Sequence, residues 1–581
     1  MRALAAAVVT LAALVVAVPG TAAAAGSRPV YSYADAIRET VWVDTGADED
    51  RDGVPDRVAA DIIRPSEPAA RGDRVPVIMD TSPYYACCGR GNEAQKKTYA
   101  PDGSPLGFPL YYDNYFVPRG YAVVLVDEAG TNRSSGCPNG ADVAGSSVAV
   151  INWLNGRGSA YRSLTGSSRV SADWSTGAVG MIGKSDDAAL AIDAAVTGVP
   201  GLRTVVSIAG VGSYYNVFNS DGAWYGFPPN NGNPPGLLNE RAAQLCKPVQ
   251  AEENAAAGTT GDFNRYWRGV DSDLDANRIR ASVFAVQGFG DLAVSPRQFG
   301  DFWSRLSVPR KAWVHQAGHV DPFDLRRAEW VETLHRWFDH WLLGVDNGID
   351  REPAVKVETS VDHWVDLPTW PPPGTRDTRW ELGAGQVTIT DDPSLDRYQW
   401  AADPDQPSPA RAVVMGAPLT APLHLAGTGS ISLTVRSSKP VARLGAELVD
   451  YGPATVRDDL GQGAGIRTLS TRSCWGASAP GDSACYLDTT TATVPVDHEV
   501  VSAGWADLGH WRTLRRGEPL APDRFYTMRF TLTTVDHTVA TGHRLAIVVG
   551  GTDAWQFLAP IDPPTLTIDL ARSSITFPTT R

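Results

Sequence analysis

Ser185 stands in Gly183-Lys184-Ser185-Asp186, between the apolar run Ala178-Val179-Gly180-Met181-Ile182 and a stretch, Asp187-Ala188-Ala189-Leu190, that reads as the start of a helix. A serine on a sharp strand-to-helix turn exposes its hydroxyl at the edge of a sheet. The backbone N–H of the next residue, Asp186, is then placed to stabilise an oxyanion. That is the arrangement of a serine nucleophile. The usual elbow carries glycine two places after the serine, where this sequence has Asp187. A serine followed by two aspartates also serves as an ordinary helix N-cap.

A nucleophilic serine needs a base, and all ten histidines lie at or beyond residue 315. His335 and His340 fall among Trp337, Phe338 and Trp341 on an amphipathic helix, where packing accounts for them. His424, His498, His510, His537 and His543 lie in a β-rich region and read as exposed or turn residues. His315 belongs to the apolar strand Ala312-Trp313-Val314, and His319 follows just past it, after Gln316-Ala317-Gly318. In an α/β-hydrolase arrangement the nucleophile, acid and base follow in that chain order at strand ends. His319 meets this requirement for the base. Asp291, after the strand-like run Ser282 to Gly290, meets it for the acid that orients the imidazole. Asp271, Asp273 and Asp275 lie in a polar helical stretch and read as solvated. A second oxyanion donor is expected at an early strand end, where Val75 to Asp80 leads to Thr81-Ser82-Pro83-Tyr84-Tyr85. The Tyr84 hydroxyl could donate there; a turn with aromatic packing accounts for the same residues.

No metal or other cofactor is expected. Asp48-Glu49-Asp50-Arg51-Asp52-Gly53, with Asp56 beyond, resembles the first half of a calcium loop. The position of the closing glutamate holds Ala59, and a solvated hairpin turn accounts for Asp48, Asp50 and Asp52. Cys87-Cys88 followed by Gly89 is not a zinc spacing, and no histidine is near.

The elements that must position these residues follow a pattern. Val75 to Met79, Ala122 to Val126, Val179 to Ile182, Val205 to Ile208 and Val283 to Val286 are short apolar runs, as in strands buried on both faces of a parallel sheet. Between them lie helical candidates such as Ser147 to Leu154 and Asp187 to Ala195. The alternation predicts an α/β catalytic domain over residues 26–350. Residues 213–278, which include Phe227-Pro228-Pro229-Asn230-Asn231-Gly232-Asn233-Pro234-Pro235, break the rhythm and predict an inserted helical cap. Residues 351–375, around Trp370-Pro371-Pro372-Pro373, read as a linker. Residues 376–581 carry short alternating runs such as Ser430 to Val435 and predict an all-β sandwich.

A chain of 581 residues exceeds a single core, in agreement with that division. The net charge of −14 argues against nucleic acid or an anionic membrane as partner and leaves a peptide or small acyl compound. Arg2, the apolar run Leu4 to Val18 and the small-residue exit Gly20 to Ala25 read as a secretory signal peptide, removed near Ala25. In an oxidising compartment six cysteines suggest disulfides. Cys474 and Cys485 are the first candidates for a pair; Cys87, Cys88, Cys137 and Cys246 supply the rest in a connectivity that stays open.

Gly130-Thr131 with Ser135-Gly136, then Ala149 to Arg157, Gly183-Lys184-Ser185, Ala195 to Leu202 and Ser213-Tyr214-Tyr215-Asn216 together resemble the X-prolyl dipeptidyl-peptidases. More loosely, they resemble the cocaine-esterase-like and α-amino-acid ester hydrolases. The resemblance spans most of the chain. It implies Ser185, Asp291 and His319 as a triad, Tyr84 and the Asp186 N–H as oxyanion donors, a helical cap and a C-terminal jelly-roll sandwich. It further implies release of an N-terminal dipeptide whose second residue is proline, with Tyr214 and Tyr215 at the substrate. An esterase or acylase on small acyl groups uses the same triad, and a non-catalytic secreted binding protein is a third reading. This sequence departs from the family pattern at Asp186 (usually tyrosine), Ala188 (glycine), Tyr214 (tryptophan), Val217 (tyrosine) and Gly290 (asparagine).

Overall fold

The structure is a computed structural model that describes residues 26–86, 93, 96–138, 143–231, 237–458 and 464–580. The expected signal segment and Cys87-Cys88 lie outside the described residues.

Among the described residues the largest sheet has twelve strands. From one edge the order is His363–Leu367, Val355–Ser360, Arg310–His315, Ser282–Gly288, Leu202–Ile208, Ser175–Lys184, Val75–Ser82, Ala122–Asp127, Arg57–Arg64 and Ile37–Asp44, followed by two two-residue strands. The seven strands from Val355–Ser360 to Ala122–Asp127 run parallel; the flanking ones are antiparallel. The apolar runs of the sequence become these central strands because both faces are covered. All eight residues of Val75–Ser82 and all seven of Ser282–Gly288 are buried. One face packs on helices Gly145–Leu154, Asp186–Val196 and Pro296–Arg305 through Ile151, Trp153, Ile192 and Phe302. The other packs on Tyr112–Phe116 and Arg327–Leu343 through Phe116, Trp330, Trp337 and Phe338. This is an α/β-hydrolase fold.

Residues 213–278 lie between strands Leu202–Ile208 and Ser282–Gly288 and contain the helices Tyr215–Phe218, Ala242–Leu245, Lys247–Ala257 and Arg265–Val270. A disulfide between Cys137 and Cys246 ties this insertion to the loop beyond strand Ala122–Asp127. The stretch 351–375, expected as a linker, instead carries the strands Val355–Ser360 and His363–Leu367, which extend the sheet. Its alternating residues Val355 and Val357 are fully buried, and the prolines that suggested a linker come only after the last strand.

Beyond them, two antiparallel sheets face one another across Leu425, Ile431, Leu433, Leu444, Leu448, Phe530 and Val549. The run Ser430 to Val435 falls within strand Leu423–Ser437, where buried and part-exposed residues alternate. Cys474 and Cys485 are joined, as expected, across the hairpin Ile466–Cys474 and Cys485–Thr491. Among the described residues no helix is long and apolar enough to cross a membrane.

Candidate active site

Ser185 closes strand Ser175–Lys184 and opens helix Asp186–Val196 at φ 64° and ψ −122°. An N-cap serine sits in the extended region and accepts a backbone N–H; Ser185 does neither. A non-glycine residue at positive φ is held there by its surroundings. Its N–H donates to Ile208 O at 2.9 Å, and its carbonyl accepts from Ala189 N at 3.0 Å. Gly183 makes the turn possible, since a Cβ there would lie 2.4 Å from the carbonyl carbon of Asp187 and 2.7 Å from Ala188 N. Ser185 is therefore the strained elbow and not the ordinary cap.

Asp291 and His319 follow two neighbouring parallel strands, Ser282–Gly288 and Arg310–His315, whose ends align in register at Gly288 and His315. His319 Nδ1 lies 2.7 Å from Asp291 Oδ2. The other carboxylate oxygen accepts from Ala293 N at 2.9 Å and Val294 N at 2.8 Å, so the acid is fixed by its own turn. Asp291 is fully buried and the His319 side chain is 24% exposed. Such a carboxylate selects the tautomer that leaves Nε2 as base. Gly288 lets the histidine loop close over the acid strand: a Cβ there would lie 2.2 Å from Ala317 O and 2.4 Å from Gly318 O. Strand Leu202–Ile208 separates the strand before Ser185 from the strand before Asp291, and these three run parallel with the strand before His319. Ser185, Asp291 and His319 thus stand along one edge of the sheet. Neither Ser185 Oγ nor His319 Nε2 makes a further hydrogen bond among the described residues.

Tyr84 follows strand Val75–Ser82, the other neighbour of the strand that ends before Ser185, and its N–H donates to Ser82 Oγ at 3.1 Å. Burial first, then the carboxylates of Asp186, Asp187 and Glu128, holds its phenol well above the usual range. It stays a neutral hydroxyl, which is the state an oxyanion donor must have. Burial pushes the Asp186 carboxyl up to about 6. Two acids of this neighbourhood went unnoticed in the sequence. Glu128, whose N–H donates to Ser82 O at 3.2 Å, is driven well above its ordinary range by burial, Asp186 and Asp193. Asp193 is pushed up to about 8 by burial; it accepts from Ser272 Oγ at 2.5 Å and Tyr214 OH at 3.4 Å. The seven-residue spacing from Asp186 to Asp193, two turns of one helix, was a usable signal for the second.

Several other expectations change. Asp271 and Asp273 are buried rather than solvated. Asp271 accepts from Ser213 Oγ at 2.7 Å and Tyr215 N at 2.9 Å, and Asp273 pairs with Arg305 at 2.5 Å. Tyr215 is buried, donates to Gly261 O at 2.6 Å and accepts from Gly222 N at 3.0 Å, so its hydroxyl is committed to the inserted segment. Tyr214 alone of the pair reaches toward the site acids. In the Asp48–Asp56 turn Asp48 and Asp52 are exposed as expected, whereas Asp50 and Asp56 are buried. One oxygen each of Asp48, Asp50 and Asp56 lies within 4.8 Å of the others. Backbone N–H groups of Glu49, Asp52 and Gly53 bind these carboxylates, and Arg241 of the inserted segment pairs with Asp50 and Asp52.

Comparison with known proteins adds to this geometry. Residues 52–321 match the family profile of the X-Pro dipeptidyl-peptidases (S15 family). Residues 347–580 match that of the X-Pro dipeptidyl-peptidase C-terminal non-catalytic domain. A putative Xaa-Pro dipeptidyl-peptidase of Streptomyces avermitilis is 48% identical over 98% of this chain and 88% of its own length. The chain belongs to the X-Pro dipeptidyl-peptidase family. Within it, the putative Xaa-Pro dipeptidyl-peptidase of Bacillus anthracis is 31% identical over 95% of this chain and 89% of its own. The fold is shared more widely. A CocE/NonD family hydrolase from Staphylococcus aureus superposes with a TM-score of 0.63 at 15% identity, over 95% of this chain and 98% of that one. An α-amino acid ester hydrolase gives 0.62 at 17%, over 94% and 97%.

Proposed function

We propose that this S15-family hydrolase is a secreted serine peptidase that releases N-terminal Xaa-Pro dipeptides through an acyl-enzyme. The observation that carries the reading is Asp291 bonded to His319 on the sheet edge that holds Ser185 at positive φ. Ser185 Oγ attacks the scissile carbonyl carbon while His319 Nε2 takes its proton. The oxyanion accepts from the Asp186 N–H and the Tyr84 hydroxyl. His319 returns the proton to the leaving amine, water then attacks the ester, and the dipeptide leaves. Asp291 holds the imidazole and stays ionised. Proline packs against Tyr214. The two disulfides agree with export.

Purified protein assayed on a Gly-Pro chromogenic amide and on a short acyl ester tests this. Amide cleavage is expected, together with fluorophosphonate labelling lost in Ser185→Ala. Fast ester cleavage with no amide cleavage would replace the peptidase by an esterase of the CocE type, a reading favoured by the shared fold. Absence of labelling would remove the serine mechanism altogether.

A further inference from the structure

The loop that carries His319 is held from outside the catalytic segment. Between His315, the last residue of its strand, and His319, the N–H donors of the loop are bound one after another. Gln316 N donates to the Glu358 carboxylate at 2.8 Å. Gln316 Nε2 donates to the carbonyls of Glu358 at 2.8 Å and Asp536 at 3.0 Å. Gly318 N donates to Ala464 O at 3.1 Å. Asp536 and Ala464 belong to the β-sandwich, and Glu358 to the strand beside the histidine strand.

Glu358 is fully buried, and its carboxylate is fixed by Arg457, the last residue of sandwich strand Arg443–Arg457. Arg457 Nε lies 3.0 Å from one carboxylate oxygen and 3.2 Å from the other, and Nη2 also meets the first. Arg457 Nη1 donates to Gly465 O at 3.0 Å and Nη2 to Asp362 Oδ1 at 2.9 Å, so the guanidinium has no freedom to turn. Gly465, at φ +78°, is in contact with both ends of this relay. A Cβ there would lie 3.0 Å from Arg457 Cβ and 3.4 Å from Ala317 Cα. A carboxylate that receives a guanidinium on one side and a backbone N–H on the other has its position set by both. Moving it moves Gln316, three residues before the base, and misplacement of a base by about 1 Å costs on the order of a hundredfold in rate.

We propose that Arg457, in the β-sandwich, is a positioning residue for His319, acting through Glu358, whose carboxylate holds the Gln316 backbone N–H and whose carbonyl holds the Gln316 side chain. The sandwich, whose family profile is described as non-catalytic, sets the geometry of the catalytic histidine. This rests on the hydrolase reading above, and the two fail separately. A wild-type protein that turns over no substrate sinks the hydrolase reading; an active wild type whose Arg457 variants keep full kcat sinks this one.

Steady-state kinetics of the full chain on the Gly-Pro amide, well below each variant's melting transition, tests it. Arg457→Met is expected to lower kcat at least about tenfold with KM changed less than about threefold. Arg457→Lys, which keeps the charge but loses the fork, recovers part of that loss. If Arg457→Met does not fold, Gln316→Leu carries the test, because it removes two bonds of the loop without stranding a buried charge. It is expected to lower kcat at least about threefold at constant KM. The proposal is overturned by wild-type kcat in Arg457→Met or, where that variant does not fold, in Gln316→Leu. It is also overturned if kcat loss in Arg457→Met only tracks the folded fraction, or if Arg457→Lys is no better than Arg457→Met.

Discussion

The catalytic domain and the sandwich both contain histidines bonded to buried aspartates, and the distances hardly distinguish them. His319 Nδ1 meets Asp291 at 2.7 Å. In the sandwich, His424 Nε2 meets Asp536 at 2.8 Å, and Asp450 binds His543 at 2.9 Å and His537 at 3.0 Å. What differs is everything around the pair. Both ring nitrogens of His424 are engaged, the second by Thr580 Oγ1 at 2.7 Å, and Trp370 Nε1 donates to the other oxygen of Asp536 at 2.8 Å. Asp450 is shared by two imidazoles, His537 of strand Tyr526–Val539 and His543 in the turn before strand Arg544–Gly550. The His424–Asp536 pair is a closed network whose polar atoms satisfy one another, as buried polar groups must. The His319–Asp291 pair has one imidazole nitrogen held and stands on the sheet edge where Ser185 sits at positive φ. A histidine–aspartate bond by itself therefore indicates little; what sets this one apart is the strained serine on the same sheet edge.

Removing the nucleophile sharpens that contrast most. Ser185→Ala is expected to lower kcat at least about 10⁴-fold and abolish fluorophosphonate labelling, with an unchanged melting temperature. Next, Asp291→Asn is expected to cost about 10³- to 10⁴-fold in kcat, because the amide selects the wrong tautomer. Asp450→Asn should leave kcat within about twofold and show its effect in thermal unfolding instead. Equal kcat losses in Asp291→Asn and Asp450→Asn would dissolve the distinction between the two regions. Gly288→Ala, whose Cβ collides with the carbonyls of the histidine loop, should lower kcat by about a hundredfold at little cost in KM.

The smallest effect is on pH-dependent stability, and its sign differs between the two regions. His537 in the sandwich is held above the ordinary imidazole range: burial opposes its charge, but Asp450, by hydrogen bond and charge, and Glu499 outweigh it. That pairing stabilises the fold fully below the unfolded imidazole value near 6.5 and is lost as pH rises through the folded one. The melting difference between wild type and Asp450→Asn should therefore be larger at pH 6 than at pH 9. Asp193, beside the active site, behaves oppositely. With burial pushing its carboxyl up to about 8, ionisation in the folded state costs stability progressively from the unfolded value near 4 to about 8. Asp193→Asn should raise the melting temperature by about 2 °C or more at pH 8, and less at pH 5.

The parallel core was legible because strands covered on both faces must be apolar throughout, so Val75, Val123, Val179, Val205 and Val283 announced their strands without any knowledge of partners. The edge strands Val355–Ser360 and His363–Leu367 were not. They mix apolar residues with Lys356, Thr359, Ser360, His363 and Asp366 and even a buried Glu358, and the neighbouring prolines suggested a connector. Burial of polar residues was equally invisible. Asp271 and Asp273 read as solvated because the donors that make their burial tolerable, Ser213 and Arg305, come from other elements. Tyr215 and Tyr214 are identical letters, and only the fold turns the first into a hydrogen-bonded brace and the second toward Asp193.

For the site itself, the sequence determined the cast and the chain order: one serine after an apolar run, one aspartate and one histidine after later runs, and no histidine earlier. Those are facts of residue type and spacing, and strand ends are local. Whether Ser185 was a cap or a strained elbow depended on its backbone dihedral, which Gly183 permits and which packing against strand Leu202–Ile208 imposes. Whether His319 belonged to Asp291 depended on the parallel register of two strands and on a glycine that lets their loops meet. Contacts between residues far apart in the chain are set by the closing of the sheet. Tertiary structure alone decided them.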